Sequence, residues 1–228
     1  MRLFKSINAV AIDGPAGSGK STISRLVAER LGYVYIDTGA MYRALTLKAM
    51  KKDIDFADEG AVIALSMDMD IELLPSDSRS TTIKVLLDGQ DVSDDIRTLE
   101  VTGNVKHVAG IPLVRKNLVG LQRKMAEGYR GSVMEGRDIG TVVLPDARYK
   151  IYLDASFDER VERRFSELQV KGTPATRTDV ALDLKQRDHA DKTRKVGPLK
   201  KAADAVLLDT TYLTIDQVVG KIVDIVKK

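Results

Sequence analysis

The sequence predicts an α/β fold: a five-stranded parallel sheet flanked by helices, with a small antiparallel β-meander inserted and a helical lid. Three observations lead there. An apolar run, a glycine-rich loop and an amphipathic segment follow one another near the N-terminus. Short apolar runs then alternate with helical patterns, and one stretch breaks the rhythm with strand candidates split by turn signals.

The first strand is expected over Ile7 to Asp13, a run of apolar residues that ends in glycine. From Lys20 to Leu31, Ile23, Leu26, Val27 and Leu31 recur at helical spacing, and Gly32 stands where a helix C-cap needs a residue tolerant of positive φ. Tyr33 to Asp37, Ser132 to Met134, Tyr149 to Asp154 and Ala205 to Asp209 supply four further strands. Ser156 with Glu159, and Thr214 with Gln217, have the spacing of capping boxes and mark two helix starts. Between the second and third core strands, Ile71 to Leu74, Ile83 to Leu87 and Gln90 to Val92 are separated by Pro75 to Ser80 and by Asp88-Gly89. Asp-Gly is a strong two-residue hairpin signal, so this stretch reads as a meander. A helix follows from Pro112, with Val114, Leu118, Leu121 and Met125 on its apolar face. Thr173 to Pro198 is polar, charged and bounded by glycine and proline, which suits a lid.

Composition narrows the chemistry. The 228 residues, 43% hydrophobic and 30% charged, suffice for one core with mobile appendages. No run approaches the ~20 apolar residues of a membrane span, and no signal-peptide core precedes the first strand, so a cytoplasmic location without membrane contact is expected. Absence of cysteine removes thiolate catalysis, disulfides and cysteine-ligated zinc, and two histidines, His107 and His189, are few for a histidine metal site. A net charge of +3, 5% aromatic residues and no tryptophan argue against a nucleic-acid partner.

Gly14 to Ser21 reads GPAGSGKS and fits G-x-x-x-x-G-K-[ST] between a strand and a helix. The fold class is therefore of the P-loop NTPase type. In such a loop, backbone N–H groups close around phosphate oxygens, Lys20 reaches the outer phosphates and the Ser21 hydroxyl can ligate Mg²⁺. This implies an ATP or GTP site, but leaves hydrolase, switch and kinase open. The arginines address that choice. A phosphate acceptor needs alignment of two anionic groups and screening of their repulsion more than it needs a strong base. Arg187, Asp191 and Arg194 share one face if their segment is helical, and Arg160 and Arg164 form an i, i+4 pair. Ion pairing of that pair with Glu159, Glu162 or Glu167 is the competing account.

DTGAMYR (Asp37 to Arg43), EGRDIGTVVLPDA (Glu135 to Ala147) and RDHADKTRKVGPL (Arg187 to Leu199), together with the P-loop, resemble the bacterial cytidylate kinase family nearly end to end, including the VSDDIRT stretch from Val92 to Thr98. The resemblance implies Mg²⁺-dependent, in-line transfer of phosphate from ATP to CMP and dCMP in pyrimidine nucleotide metabolism, by a transferase that is a monomer. It implies a core over 1–37, 131–156 and 199–228, an NMP-binding region over 38–130 with its insert at about 67–105, and a lid with flanking helices over 157–198.

ATP would be held by Gly14, Pro15, Ala16, Gly17, Ser18, Gly19, Lys20, Ser21 and Thr22, with Arg160 against the adenine and Arg164 near the phosphates. Thr38, Arg43 and Arg137 would hold the CMP phosphate, and Arg187 would span donor and acceptor. Arg115 and Asp138 would face cytosine, while Asp191 and Arg194 would contact the pentose and nearby groups. Lys20, Arg187 and Arg137 would carry catalysis, and Ser21 would ligate the metal. A carboxylate suits cytosine because it accepts the amino hydrogens that uracil lacks. Lys106 departs from the family, which commonly has serine or threonine there, and would alter discrimination between CMP and UMP if it faced the base. Met41 and Tyr42 read as packing residues.

Overall fold

A computed structural model describes residues 8–74, 83–170 and 172–228. In chain order the elements are β1 (Ala9–Asp13), α1 (Lys20–Leu31), β2 (Val34–Asp37), α2 (Thr38–Lys51), α3 (Glu59–Met67), β3 (Ile71–Leu74), β4 (Lys84–Leu87), β5 (Gln90–Asp91), a 3₁₀ turn (Asp95–Arg97), α4 (Leu99–Ala109), α5 (Pro112–Glu127), β6 (Ser132–Gly136), a π-helical turn (Ile139–Val143), β7 (Tyr149–Asp154), α6 (Phe157–Val170), α7 (Arg177–Thr193), β8 (Val206–Asp209) and α8 (Ile215–Lys227). They divide into two compact units, Met1–Tyr35 with Tyr129–Lys228, and Ile36–Gly128.

The sheet of the first unit has the order β2-β6-β1-β7-β8. β1 pairs in parallel with β6 and β7, and β7 with β8, so β1 is central and buried throughout. That burial explains why β1 is apolar at successive positions instead of alternating. Val10 and Ile12 pack with Ile23 and Val27 of α1, Ile151 and Leu153 of β7, and Val219 and Ile222 of α8. The ends of α1 and α8 follow local chemistry. Gly32 takes φ 66 at the end of α1, and Thr214 and Gln217 form the reciprocal capping box of α8. At α6, Ser156 accepts from the Glu159 N–H, whereas the Glu159 carboxylate accepts from Arg163 on its own helix.

The second unit holds the meander as an antiparallel sheet, β3-β4-β5, with Ile71 opposite Leu87 and Leu87 opposite Gln90. Asp88 and Gly89 make the turn with φ 50 and 77, the positive pair that a mirror-image hairpin turn requires. Lys48, buried on α2, donates to the Asp68 carbonyl and to Asp88, tying the helix to that turn. Pro112 starts α5, and Asn117 donates to Ser66 of α3. The expected breaker Pro75 to Ser80 and Ile7 of the first strand lie outside the described residues. No helix among the described residues is long and apolar enough to cross a membrane.

Candidate active site

In the first unit the sheet delivers β1 into the glycine-rich loop. Gly14 passes so near β7 that a Cβ there would lie 2.0 Å from the Leu153 carbonyl oxygen, and Gly17, at φ 75, would place one 3.1 Å from the Arg160 carbonyl oxygen. Backbone alone fits in both places. Gly19 then opens α1, and Lys20 folds back over the loop, its Nζ donating to the Pro15 carbonyl at 2.5 Å and lying 3.3 Å from Ser18 Oγ. Ser18 Oγ donates to the same carbonyl at 3.1 Å. Burial first, then the like charge of Arg137, lowers the Lys20 pKa to about 7, against the opposing pull of Glu135, Asp191 and Asp13. Ser21 and Thr22, by contrast, are exposed.

Asp13, the last residue of β1, accepts from the N–H groups of Ile139 and Gly140 at 2.8 Å each. Burial raises its pKa to about 6 although those two amides favour the carboxylate. It thereby holds the segment after β6 that carries Arg137 and Asp138. Arg137 Nε donates to Asp191 Oδ2 at 2.7 Å, and Arg194 Nη1 donates to Asp191 Oδ1 at 3.2 Å. Arg194 Nη2 is also 3.6 Å from Asp138 Oδ1. Four residues from two sequence motifs thus form one chain of alternating charge. Burial disfavours the charged form of Arg137, but Asp191 outweighs it and holds the guanidinium above its ordinary pKa. Burial would raise Asp191, but Arg137 and Arg194 hold it below the usual carboxylate range.

Arg187 keeps a third of its side chain exposed and lies 3.6 Å from Asp183. Desolvation, with Arg137 nearby, lowers its pKa. Arg164 pairs with Glu167 at 2.7 Å, as the competing ion-pair account anticipates. Arg160 is buried and donates through Nη1 to the Ala16 carbonyl at 3.0 Å and to Asp188 Oδ2 at 2.7 Å.

In the second unit, Asp37 caps α2 by accepting from the Ala40 N–H at 2.9 Å, and its other oxygen accepts from Arg43 Nη2 at 2.8 Å. Thr38, first in the helix, is buried. Arg115 on α5 is 2% exposed, with its guanidinium 5.2 Å from the centre of the Tyr42 ring. Tyr42 and Met41 are buried packing residues, and Lys106 is exposed on α4.

Sequence reasoning missed Asp188 and the part played by Asp13. Asp188 lies off the Arg187, Asp191, Arg194 face and continues the buried Val180, Leu184 row, so its signal was a carboxylate at an apolar position. Arg163 was also missed; it donates to the side chain and carbonyl of Thr210 at 2.9 and 2.7 Å. Among the described residues no group of three or more histidine or carboxylate side chains could hold a metal by itself. Ser21 nevertheless presents a hard oxygen donor at the start of α1, which suits a cation bound chiefly through phosphate and water.

A family model described as cytidylate kinase matches residues 10–228. The chain belongs to the cytidylate kinase family. This kinase is 50% identical over 219 residues to a cytidylate kinase of Lactobacillus johnsonii, covering 96% of this chain and 94% of the relative. It is 49% identical over 219 residues to a cytidylate kinase of Geobacillus thermodenitrificans, covering 96% of each. An uncharacterized protein from Eubacterium ventriosum has a solved structure 13% identical to it with a TM-score of 0.50, covering 96% of this chain and 97% of that one, a likeness of fold alone. The kinase is accordingly a nucleotide-binding transferase on a P-loop fold.

Proposed function

We propose that this kinase transfers the terminal phosphate of ATP to CMP and dCMP by direct in-line displacement with Mg²⁺. The observation that carries the reading is the match to cytidylate kinases along nearly the whole chain. The geometry of the first unit supports it, because Lys20, Arg137, Arg187 and Arg194 bring cationic groups into one electrostatic neighbourhood with Asp138 and Asp191.

In this reading the loop from Gly14 to Thr22 binds the donor phosphates through its backbone N–H groups, and Lys20 moves from the Pro15 carbonyl to the outer phosphates. Ser21 would ligate Mg²⁺, which would supply charge neutralisation between the phosphates. Arg160 and Arg164 serve the donor side from α6. Thr38, Arg43 and Arg137 hold the acceptor phosphate, Arg115 and Asp138 read cytosine, and Asp191 and Arg194 hold the pentose and its surroundings. Arg187 stabilises charge on the phosphoryl group in flight. Salt links such as Arg137 to Asp191 and Arg43 to Asp37 keep the guanidinium groups oriented until phosphate oxygens take up their free donors.

The division of labour is a core over 1–37, 131–156 and 199–228, an acceptor region over 38–130 with its insert at about 67–105, and a lid with flanking helices over 157–198, in a monomer acting in the cytoplasm. The test is a panel of CMP, dCMP, UMP, AMP and GMP with ATP and Mg²⁺, followed by ADP release. CMP and dCMP should lead. Equal rates with AMP, or none with CMP, would sink the specificity.

A further inference from the structure

We propose that Arg160 and Asp188 are positioning residues that latch α7, the helix carrying Arg187 and Asp191, to the phosphate-binding loop, so that nucleotide in the loop and the side chains of α7 are coupled. The inference rests on the reading of that loop as the donor site. One nitrogen does the bridging. Nη1 of Arg160 donates to the Ala16 carbonyl at 3.0 Å and to Asp188 Oδ2 at 2.7 Å, so a loop carbonyl and a carboxylate of α7 share one guanidinium. Both residues are buried, with side chains 8% and 11% exposed, and the centre of the Phe157 ring lies 5.3 Å from the guanidinium carbon.

Packing reinforces the same path. The Ala16 methyl is buried with Val161 and Leu168 of α6 and Val180 and Leu184 of α7, so a residue inside the phosphate loop belongs to the small core between these helices. Gly17 approaches the backbone of α6 at Arg160 itself. Along α7, Val180, Leu184 and Asp188 recur every four residues on the buried face, while Asp191 turns to Arg137. A shift of Asp188 therefore moves the side chains that neighbour it on the helix.

The contact is also built to release. Arg160 Nε and Asp188 Oδ1 are buried without hydrogen-bond partners, so the pair meets through one bond instead of the two-bond fork these groups can form. A buried charge pair with spare donor and acceptor capacity has an unspent alternative geometry, as a coupling element needs.

The experiment compares wild type with Arg160→Met, Arg160→Lys, Asp188→Asn and the Arg160→Met/Asp188→Asn double variant. It reads kcat at saturating ATP and CMP, affinity for a non-hydrolysable ATP analogue, and amide exchange over 177–193 with and without that analogue. We expect Arg160→Met and Asp188→Asn each to lower kcat by about 10-fold, with analogue affinity in Asp188→Asn staying within about 3-fold, and the double variant to be no worse than the poorer single. The protection that α7 gains from the analogue in wild type should vanish in both singles and persist in part in Arg160→Lys.

Losses that multiply in the double variant, or α7 protection that tracks the analogue unchanged, overturn the latch. So does a kcat within about 2-fold of wild type in Asp188→Asn, which would leave Asp188 a packing residue. If Arg160→Met does not fold, Arg160→Lys and Asp188→Asn carry the same comparison. A wild-type chain that binds the analogue but fails to phosphorylate CMP would refute the acceptor reading and leave the exchange result standing.

Discussion

Replacing Gly14 by alanine tests the geometry of the phosphate loop most directly. The added Cβ would lie 2.0 Å from the Leu153 carbonyl oxygen, roughly 1.4 Å inside ordinary van der Waals contact. Leu153 cannot easily retreat, because β7 is held by β1 on one side and β8 on the other. The loop must give instead. Overpacking of this kind costs about 1–3 kcal/mol, and at about 2–4 °C per kcal/mol for a chain of this length the Tm should fall by several degrees. Activity should suffer more, since a displacement of about 1 Å in a group that aligns reactants costs about 100-fold in rate.

The assay is thermal unfolding beside kcat/KM for ATP, with Gly120→Ala as the control. Gly120 lies on α5 with nothing within 4 Å of its missing Cβ, so alanine there should be neutral or stabilise by up to about 1 kcal/mol. A Gly14→Ala protein with the Tm and kcat/KM of wild type would refute the close approach of loop and strand.

Three further outcomes are expected. At about pH 8, nucleotide binding should take up most of a proton through Lys20. Burial and Arg137 hold that amine at about 7 in the free protein, and phosphate restores its charge. Uptake should fade toward about pH 6, where the free protein already carries the proton; titration calorimetry in paired buffers measures it, and Lys20→Met, which subtracts the nucleotide's own ionisation, must abolish the Lys20 share. Leu184→Ala, at a fully buried site between α6 and α7, should cost about 2–5 kcal/mol of unfolding free energy in denaturant titrations. Asp138→Ala should raise KM for CMP by at least about 10-fold while leaving KM for ATP within about 2-fold, and equal losses for both would assign the residue to folding instead.

Much of the fold was legible because it is written locally. Strand-length apolar runs, the Asp88-Gly89 turn and the helix termini at Gly32 and Thr214 depend on residues a few positions apart, and they recur in the structure within a residue or two. The phosphate loop was legible for the same reason, since its glycines, lysine and flanking elements are contiguous. The partners of the site residues were not. Helical spacing grouped Arg187, Asp191 and Arg194, yet it could not show that Asp191 would take Arg137, 54 residues away, as its main partner.

By itself the sequence determined an α/β core with a phosphate-binding loop, an inserted meander and a set of arginines grouped by helical spacing. Only tertiary structure decided which carboxylate each arginine meets: Arg160 is buried against Ala16, 144 positions earlier, and Asp188, 28 later. The physical reason is that periodicity specifies the side of an element that is buried, whereas the neighbour on that side is set by how distant segments pack. Asp13 shows both halves of this. Its place at the end of β1 is local, but its two amide partners in the π-helical turn exist because β6 lies next to β1 in the sheet.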